Sequence, residues 1–466
     1  MKTKLLIAGA VVLALLTLAV LLVGPWPAYS GGDVTHERYY QRNVEAIRAS
    51  AGRSTTDGRP GSLRAGWAKR PIAPPAGTPL AGFGDRKGKP STGVHDEIFV
   101  KALALSDGND KAVLVAADML IIPENLAETV RERVFRQTGL AADALLFNAS
   151  HTHSGPGGWA PGFVGKQFAG TYDASVLEFL AQQFTAAIVE ADATAGDDAA
   201  LGTGGVPVDA CIRNRTREAP CDTELSYMVV EKEGGARCFV VSYSAHPTVL
   251  GGSNMEFSGD YPGYLTRALE RETGGFVMFL GGAVGSMTTR HAGNESGFEK
   301  AAAIGEGLAR HVLDGVDALE LRREVEIASV GAPLELPSFQ WRIHPSWRLS
   351  PFLIRFLGID SDGWLQCVRV GDAYFAGMPS DFSGEISVRL KDWAHTQGAD
   401  LWVLSFNGDY VGYISPDAYY ATARPDGKEA YEMYLMNWCG PNQEAFFTHL
   451  AREAVTALSR SVVSGS

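Results

Sequence analysis

The sequence predicts a layered α/β domain built on a mixed sheet and carried behind an N-terminal membrane helix. Three observations predict it. Apolar, β-branched runs alternate with segments of helical spacing along most of the chain. Short hairpins, marked by Asp107-Gly-Asn-Asp110 and Gly234-Gly235, interrupt that alternation, so the sheet is not purely parallel. Polar, glycine-rich motifs fall just after the apolar runs, at the strand ends where α/β folds hold ligands.

Lys2 and Lys4 precede an uncharged apolar run over 5–24. About 20 helical residues cross a bilayer core. Residues 25–30 offer no clean small-x-small cleavage site, so residues 1–24 are expected to be an uncleaved signal anchor, with a cleaved signal as the alternative. The two lysines then stay cytoplasmic, and the domain lies outside, periplasmic or extracellular. Residues 25–60 are expected to be a tether, with a short helix over 36–50 and a polar, glycine-rich stretch over 54–64. The folded domain is expected over 61–466.

Within it, 99–105 and 111–117 form a predicted hairpin. Pro123 opens a helix to 137, with Gly139 as its stop. A strand over 144–147 follows, and Asp173 caps a helix to about 191. A second hairpin pairs 224–231 with 237–243. Helices over 262–271 and 298–319 flank a strand at 276–280. Strands at 364–370 and 373–376, a helix at 386–395, a strand at 401–406 and a helix at 444–458 complete the chain.

A chain of 466 residues, 45% hydrophobic and 20% charged, is long and apolar enough for a large core. Its formal charge of −12, without basic blocks, excludes nucleic acid as the main partner. Five cysteines without a Cys-x-x-Cys exclude a cysteine zinc cluster. In an exported domain Cys211 and Cys221 could close a small loop, a pairing the sequence does not itself show.

The stretch of the chain best suited to chemistry is Asn148-Ala-Ser-His-Thr-His-Ser-Gly-Pro-Gly-Gly158. Extended backbone sends residues i and i+2 to one side, so His151 and His153 can reach one point at a strand end. A catalytic zinc takes His or carboxylate ligands and keeps one position open. Of ten histidines, His151, His153 and His246 directly follow apolar runs. His95 follows a glycine loop, His311 and His395 fall within helices, and His36 sits in the expected tether. Asp381 lies between a strand and a helix, where capping is the plain alternative. Asp409 follows another apolar run, and by pattern its neighbouring tyrosines read best as ordinary core aromatics.

In combination these segments resemble the neutral (non-lysosomal) ceramidases. The resemblance rests on 148–158, Ala245-His246-Pro247-Thr248, Asn214-Arg215-Thr216 and Gly408-Asp-Tyr-Val-Gly-Tyr413-Ile-Ser. It extends to residues 65–77, Ala81-Gly-Phe83 and Gly93-Val-His95, in matching order to about 440. It implies a layered α/β catalytic domain and a zinc-dependent amidohydrolase acting on ceramide or a related N-acyl lipid. By the resemblance, His151, His246, Asp381 and Tyr413 are metal ligands. His153, Arg215 and Tyr431 are catalytic residues.

Two departures bear on that reading. The family's zinc glutamate falls on Asp381, one methylene shorter, so the backbone must approach more closely. The family's Gly-Asp-Val-Ser-Pro-Asn corresponds to Gly285-Ser-Met-Thr-Thr-Arg290, in which Thr288 stands at the serine and Ser286 at the aspartate, the two candidates for a serine route. Metal-activated water does not need that serine. The family's carboxy-terminal immunoglobulin-like domain is not expected. Residues 339–357 mix aromatics and arginines without an acid, a composition that suits either a membrane interface or a packed connection with exposed arginines. A metal-dependent hydrolase of another amide or ester, and a silent membrane-anchored binding protein, are the competing readings.

Overall fold

The structure is a computed structural model that describes residues 2–29, 32–51, 59–359 and 362–460. Residue 30 of the expected non-cleavage segment and residues 54–58 of the expected polar, glycine-rich stretch lie outside the described residues.

An eight-stranded sheet forms the larger layer. Its strands are β1 (Arg64–Pro71), β2 (Phe99–Ser106), β3 (Lys111–Ala117), β4 (Leu145–Ala149), β5 (Asp197–Pro207), β6 (Glu224–Lys232), β7 (Arg237–Tyr243) and β8 (Phe276–Gly281). The spatial order is β8-β7-β6-β5-β1-β2-β3-β4. A four-stranded sheet, β9 (Ile327–Glu335), β10 (Asp362–Val370), β11 (Ala373–Gly377) and β12 (Asp400–Leu404), runs in sequence order.

The two sheets face one another across a dry core. Leu103, Leu114, Met228, Val240 and Leu280 of the first meet Ile327, Val368, Phe375 and Trp402 of the second. Helices cover the outer faces. On the larger sheet these are α3 (Glu124–Thr138), α5 (Ala174–Ala193), α6 (Asp260–Thr273) and α7 (Gly297–Val316). On the smaller sheet they are α2 (Arg38–Ala51), α9 (Gly384–Thr396) and α10 (Gln443–Arg460). The remaining helices are α1 (Lys2–Leu22), α4 (Gly162–Ala169) and the single turn α8 (Ile354–Leu357). The result is a four-layer α/β/β/α sandwich, which refines the expected layered mixed sheet.

Three parallel strand pairs occur in the two sheets: β3 with β4, β7 with β8, and β11 with β12. Each is joined through a helix, as parallel strands require: α3, α6 and α9 in turn. The loops that leave β4, β7 and β11 carry the histidine motif, His246 and Asp381. The topology thus delivers chain segments about a hundred residues apart to one end of the sandwich.

Sequence signals account for many of these elements. Asp173 accepts the amide of Ser175 and caps α5, and Gly139 closes α3 in the left-handed region at φ 77°. The segment expected as a tether is not slack. Tyr40, Val44 and Ile47 of α2 are buried against β9 and α10 in the same core as Phe446 and Leu450. Ile47→Ala is expected to cost about 2–4 kcal/mol in chemical denaturation, the range for a truncated core residue. A cost near zero would mean that α2 is not part of the cooperative unit.

Asp260 opens α6 with φ 52°, fully enclosed, accepting the amides of Tyr261 at 2.6 Å and Leu250 at 3.2 Å. Burial pushes its carboxyl up to about 6. The sign follows from linkage. Below the unfolded value both states are protonated. Between there and pH 6 the unfolded chain ionises first, so stability falls as pH rises, and the full penalty stands above pH 6. Asp260→Asn should flatten that part of the stability profile relative to the parent, measured by denaturant titration from pH 4 to 8.

Candidate metal centre and catalytic cleft

Ser150, His151 and Thr152 follow β4 as buried residues. His151 itself adopts φ 64°, uncommon for a residue with a Cβ. The two motif histidines therefore do not converge by strand alternation, as expected from their spacing. A left-handed turn at His151 does the aiming, and Phe406 stacks on its ring at 4.1 Å.

Three imidazoles meet at one point. His151 Nε2 lies 3.0 Å from His246 Nε2, and His153 Nε2 lies 3.3 and 3.1 Å from the same two atoms. His151 Nδ1 is 2.6 Å from the carbonyl oxygen of Leu120. A carbonyl can only accept, so Nδ1 carries the proton and Nε2 presents its lone pair to the cluster. Burial pushes His151 down to about 3 and depresses His153 and His246 well below the ordinary histidine range. All three are neutral at pH 7. Where each presents a lone pair inward, nitrogens at this spacing are favoured by a cation between them.

The spacing fits such a cation. Nitrogens about 2.0–2.1 Å from a tetrahedral zinc stand roughly 3.3 Å apart. A fourth donor is present. Asp381 Oδ1 lies 3.4 Å from His151 Nε2 and is buried without a hydrogen-bond partner. Its Oδ2 accepts the hydroxyl of Tyr410 at 2.6 Å. Burial pushes the Asp381 carboxyl up to about 6, against the pull of Tyr410 and the charge of Arg215. The shorter side chain reaches the cluster because Asp381 pairs in parallel with Tyr413 through the short strands Asp381–Phe382 and Tyr413–Ile414. The donor set suits a divalent metal.

Beside it sits a second constellation. Arg215 Nη2 donates to the Tyr413 hydroxyl at 3.1 Å, and its Nε donates to Glu432 Oε1 at 2.8 Å. The guanidinium also lies 5.9 Å from the Tyr431 ring, which meets Tyr413 edge-on at 5.6 Å. A cavity of about 360 Å³ opens over these groups, floored by His151, His153, Asp381 and Tyr413. Phe163, Phe168, Trp341, Tyr431 and Leu435 wall it. The seven expected site residues thus all fall in or beside one cleft.

Others were not foreseen. Tyr410, Glu432 and Arg86 belong to the site's framework. Arg86 is buried and donates to the backbone carbonyls of Ala81, His153, Gly251 and Gly252. Gly82 lies so close that a Cβ there would stand 2.6 Å from the His153 ring. Tyr410 sits in the same 408–413 run as Tyr413, and that proximity was its signal. Asp409, weighed as a candidate, is buried and electrostatically paired with Arg131. His95 stacks on Phe298.

The Gly285–Arg290 loop has a supporting role in this geometry. The Ser286 hydroxyl donates to Gly285 O and meets Ser383 Oγ at 2.9 Å, while Thr288 pairs across from Arg213. Ser286 O accepts the amide of Arg215 at 2.8 Å. The loop therefore anchors the arginine. Cys211 and Cys221 are free thiols, as are Cys238, Cys367 and Cys439.

Comparison with solved structures gives the same fold. The chain is similar to the neutral ceramidase from Pseudomonas aeruginosa, at 17% identity and a TM-score of 0.71, over 86% of this chain and 75% of that one. A structure described as ceramidase complexed with C2 matches at 16% identity and a TM-score of 0.70, over 86% and 75%. At the sequence level, the profile described as "Neutral/alkaline non-lysosomal ceramidase, N-terminal" matches residues 65–297, half of the chain. That span carries Arg215 and all three clustered histidines. The chain belongs to the neutral/alkaline non-lysosomal ceramidase family and is a hydrolase of the kind that acts on the ceramide amide bond.

Proposed function

We propose that this chain is a zinc-dependent amidohydrolase that cleaves the N-acyl amide of ceramide or a closely related N-acyl lipid with water. The observation that carries the reading is the convergence of three neutral imidazole nitrogens beside an unpartnered buried carboxylate oxygen, at the floor of an apolar-walled cleft. His151, His246 and Asp381 would hold the metal, with Tyr413 as the fourth protein ligand. Bound there, zinc supplies Lewis acidity, acidifying water and polarising the amide carbonyl.

The chain's own residues supply the rest. His153, neutral and at the mouth of the cluster, takes the proton of the attacking water and returns it to the departing amine. Arg215, held on one side by Glu432, keeps a positive charge beside the position where the carbonyl oxygen becomes negative. Tyr431 offers a hydroxyl from the cleft wall. The aromatic and aliphatic walls take the hydrocarbon chains, which fixes the scissile amide over the polar floor.

The test is hydrolysis of a series of N-acyl sphingoid bases and N-acyl amines, with fatty acid and amine quantified separately. The reading predicts equimolar release of both, with preference for long acyl chains. Release from esters alone, or no release with metal bound, would contradict it.

A further inference from the structure

α1 is apolar and wholly exposed among the described residues, yet its end is not loosely attached. The Ser350 hydroxyl donates to Leu21 O at 2.6 Å, and the Ser350 amide donates to Val23 O at 2.9 Å. The Trp26 indole donates to Val20 O at 2.8 Å and meets Phe352 edge-on at 6.1 Å. Trp26–Pro27 adds a short strand to the hairpin formed by Arg342–His344 and Trp347–Arg348. The exit of α1 is thus fixed to one hairpin of the body.

That hairpin borders the cleft. Trp341, at its base, walls the cavity. Arg342 donates to Met433 O and lies over the rings of Tyr420 and Tyr434, binding the hairpin to the turn that carries Tyr431 and Leu435. On the other side α8 packs on α4, where Gly162 and Gly358 approach so closely that a Cβ on either would lie 2.7 Å from the other's Cα. Phe163 of α4 also walls the cavity. Around this perimeter Ile343, Trp347, Phe352, Phe356, Phe163 and Leu435 are 44–82% exposed. Six large apolar side chains on one face are not scattered surface residues but a patch that calls for a cover.

The cover is indicated by what is joined to it. A helix long and apolar enough to cross a bilayer ends on this patch, tryptophans cluster there, and residues 339–357 contain arginines and no acid, a composition that suits a membrane interface. We propose that the rim of the cleft lies in the interface of the bilayer that α1 spans, so that substrate enters sideways from that membrane without crossing water. This rests on the N-acyl lipid reading for the identity of the substrate, while the membrane contact itself does not.

Full-length protein reconstituted in phosphatidylcholine vesicles doped with a diazirine-bearing phosphatidylcholine tests the contact directly. After irradiation, lipid adducts are expected on peptides covering 341–357 and 162–168, as well as on 2–22. Adducts confined to 2–22, or an N-terminus already cleaved past residue 22, would overturn the proposal. The second arm uses Ile343→Glu/Phe352→Glu/Phe356→Glu, none of which lines the cavity. Hydrolysis of a long-chain N-acyl lipid embedded in the vesicles should fall about tenfold, while a water-soluble short-chain substrate is hydrolysed at the parent rate. Equal loss on both substrates, or loss on neither, would also overturn it. If no N-acyl amide is cleaved by the parent, the functional reading fails, and the adduct map still decides the membrane contact.

Discussion

His246→Ala is expected to abolish both metal binding and hydrolysis. His246 Nε2 is 3.0 Å from His151 Nε2, and both are enclosed, so on the proposed ligand set the alanine variant lacks one of the nitrogens that converge at the site. Outer-shell partners of metal sites already cost 10–100-fold when lost, so removal of a ligand should lower metal affinity by more than about 100-fold. Turnover falls with occupancy. The two effects separate by measurement: metal content by mass spectrometry after gel filtration, and rate under saturating zinc. A variant that keeps its zinc would remove His246 from the ligand set. Unchanged near-ultraviolet circular dichroism would show that the fold survived.

His153→Ala has the opposite signature. It should keep the metal and lose about 10²–10⁴ in kcat, the contribution of a positioned acid–base group. The geometry makes this variant decisive, because His153 Nε2 is as near to the other two nitrogens as they are to each other. Such spacing serves a third imidazole ligand as well as a base beside the metal. Metal retained with turnover lost assigns His153 to proton transfer. Metal lost together with turnover assigns it to the ligand set, with Asp381 and Tyr413 moving outward in role.

The elements visible in the sequence were those whose local signals agree with their place in the fold. β7 and β8 are continuous apolar runs because both faces of the larger sheet are covered. α5 and α3 carry their own caps. Three long strands gave no such signal. β5 contains Gly202, Gly204 and Gly205, which reads as a loop, yet Gly202 is required because a Cβ would stand 2.8 Å from Glu320 O. β9 carries Gly331 and Pro333, and β1 mixes charges with small residues, so tertiary pairing rather than propensity makes them strands. α2 looked like a tether because only one stripe of it is apolar, and that stripe matters only once β9 and α10 are in place.

The site was legible where motifs are dense. His151, His153 and His246 announce themselves by their positions after apolar runs. The partners that orient them do not. Leu120 acts through a carbonyl, Arg86 through four carbonyl contacts, and Glu432 through a single arginine more than two hundred residues away. Such contacts depend on topology that no local pattern encodes. The left-handed turn at His151 was equally invisible, because nothing in its neighbours demands it.

The proposed chemistry requires a zinc ion at the point where the three imidazoles and Asp381 converge. The measurement that tests it most directly is zinc stoichiometry of the full chain, stripped with chelator and re-equilibrated with zinc, beside Asp381→Ala treated identically. The account predicts close to one zinc per parent chain, and none, or zinc removed by a mild chelator, in the variant. A parent chain that takes up no zinc would contradict it.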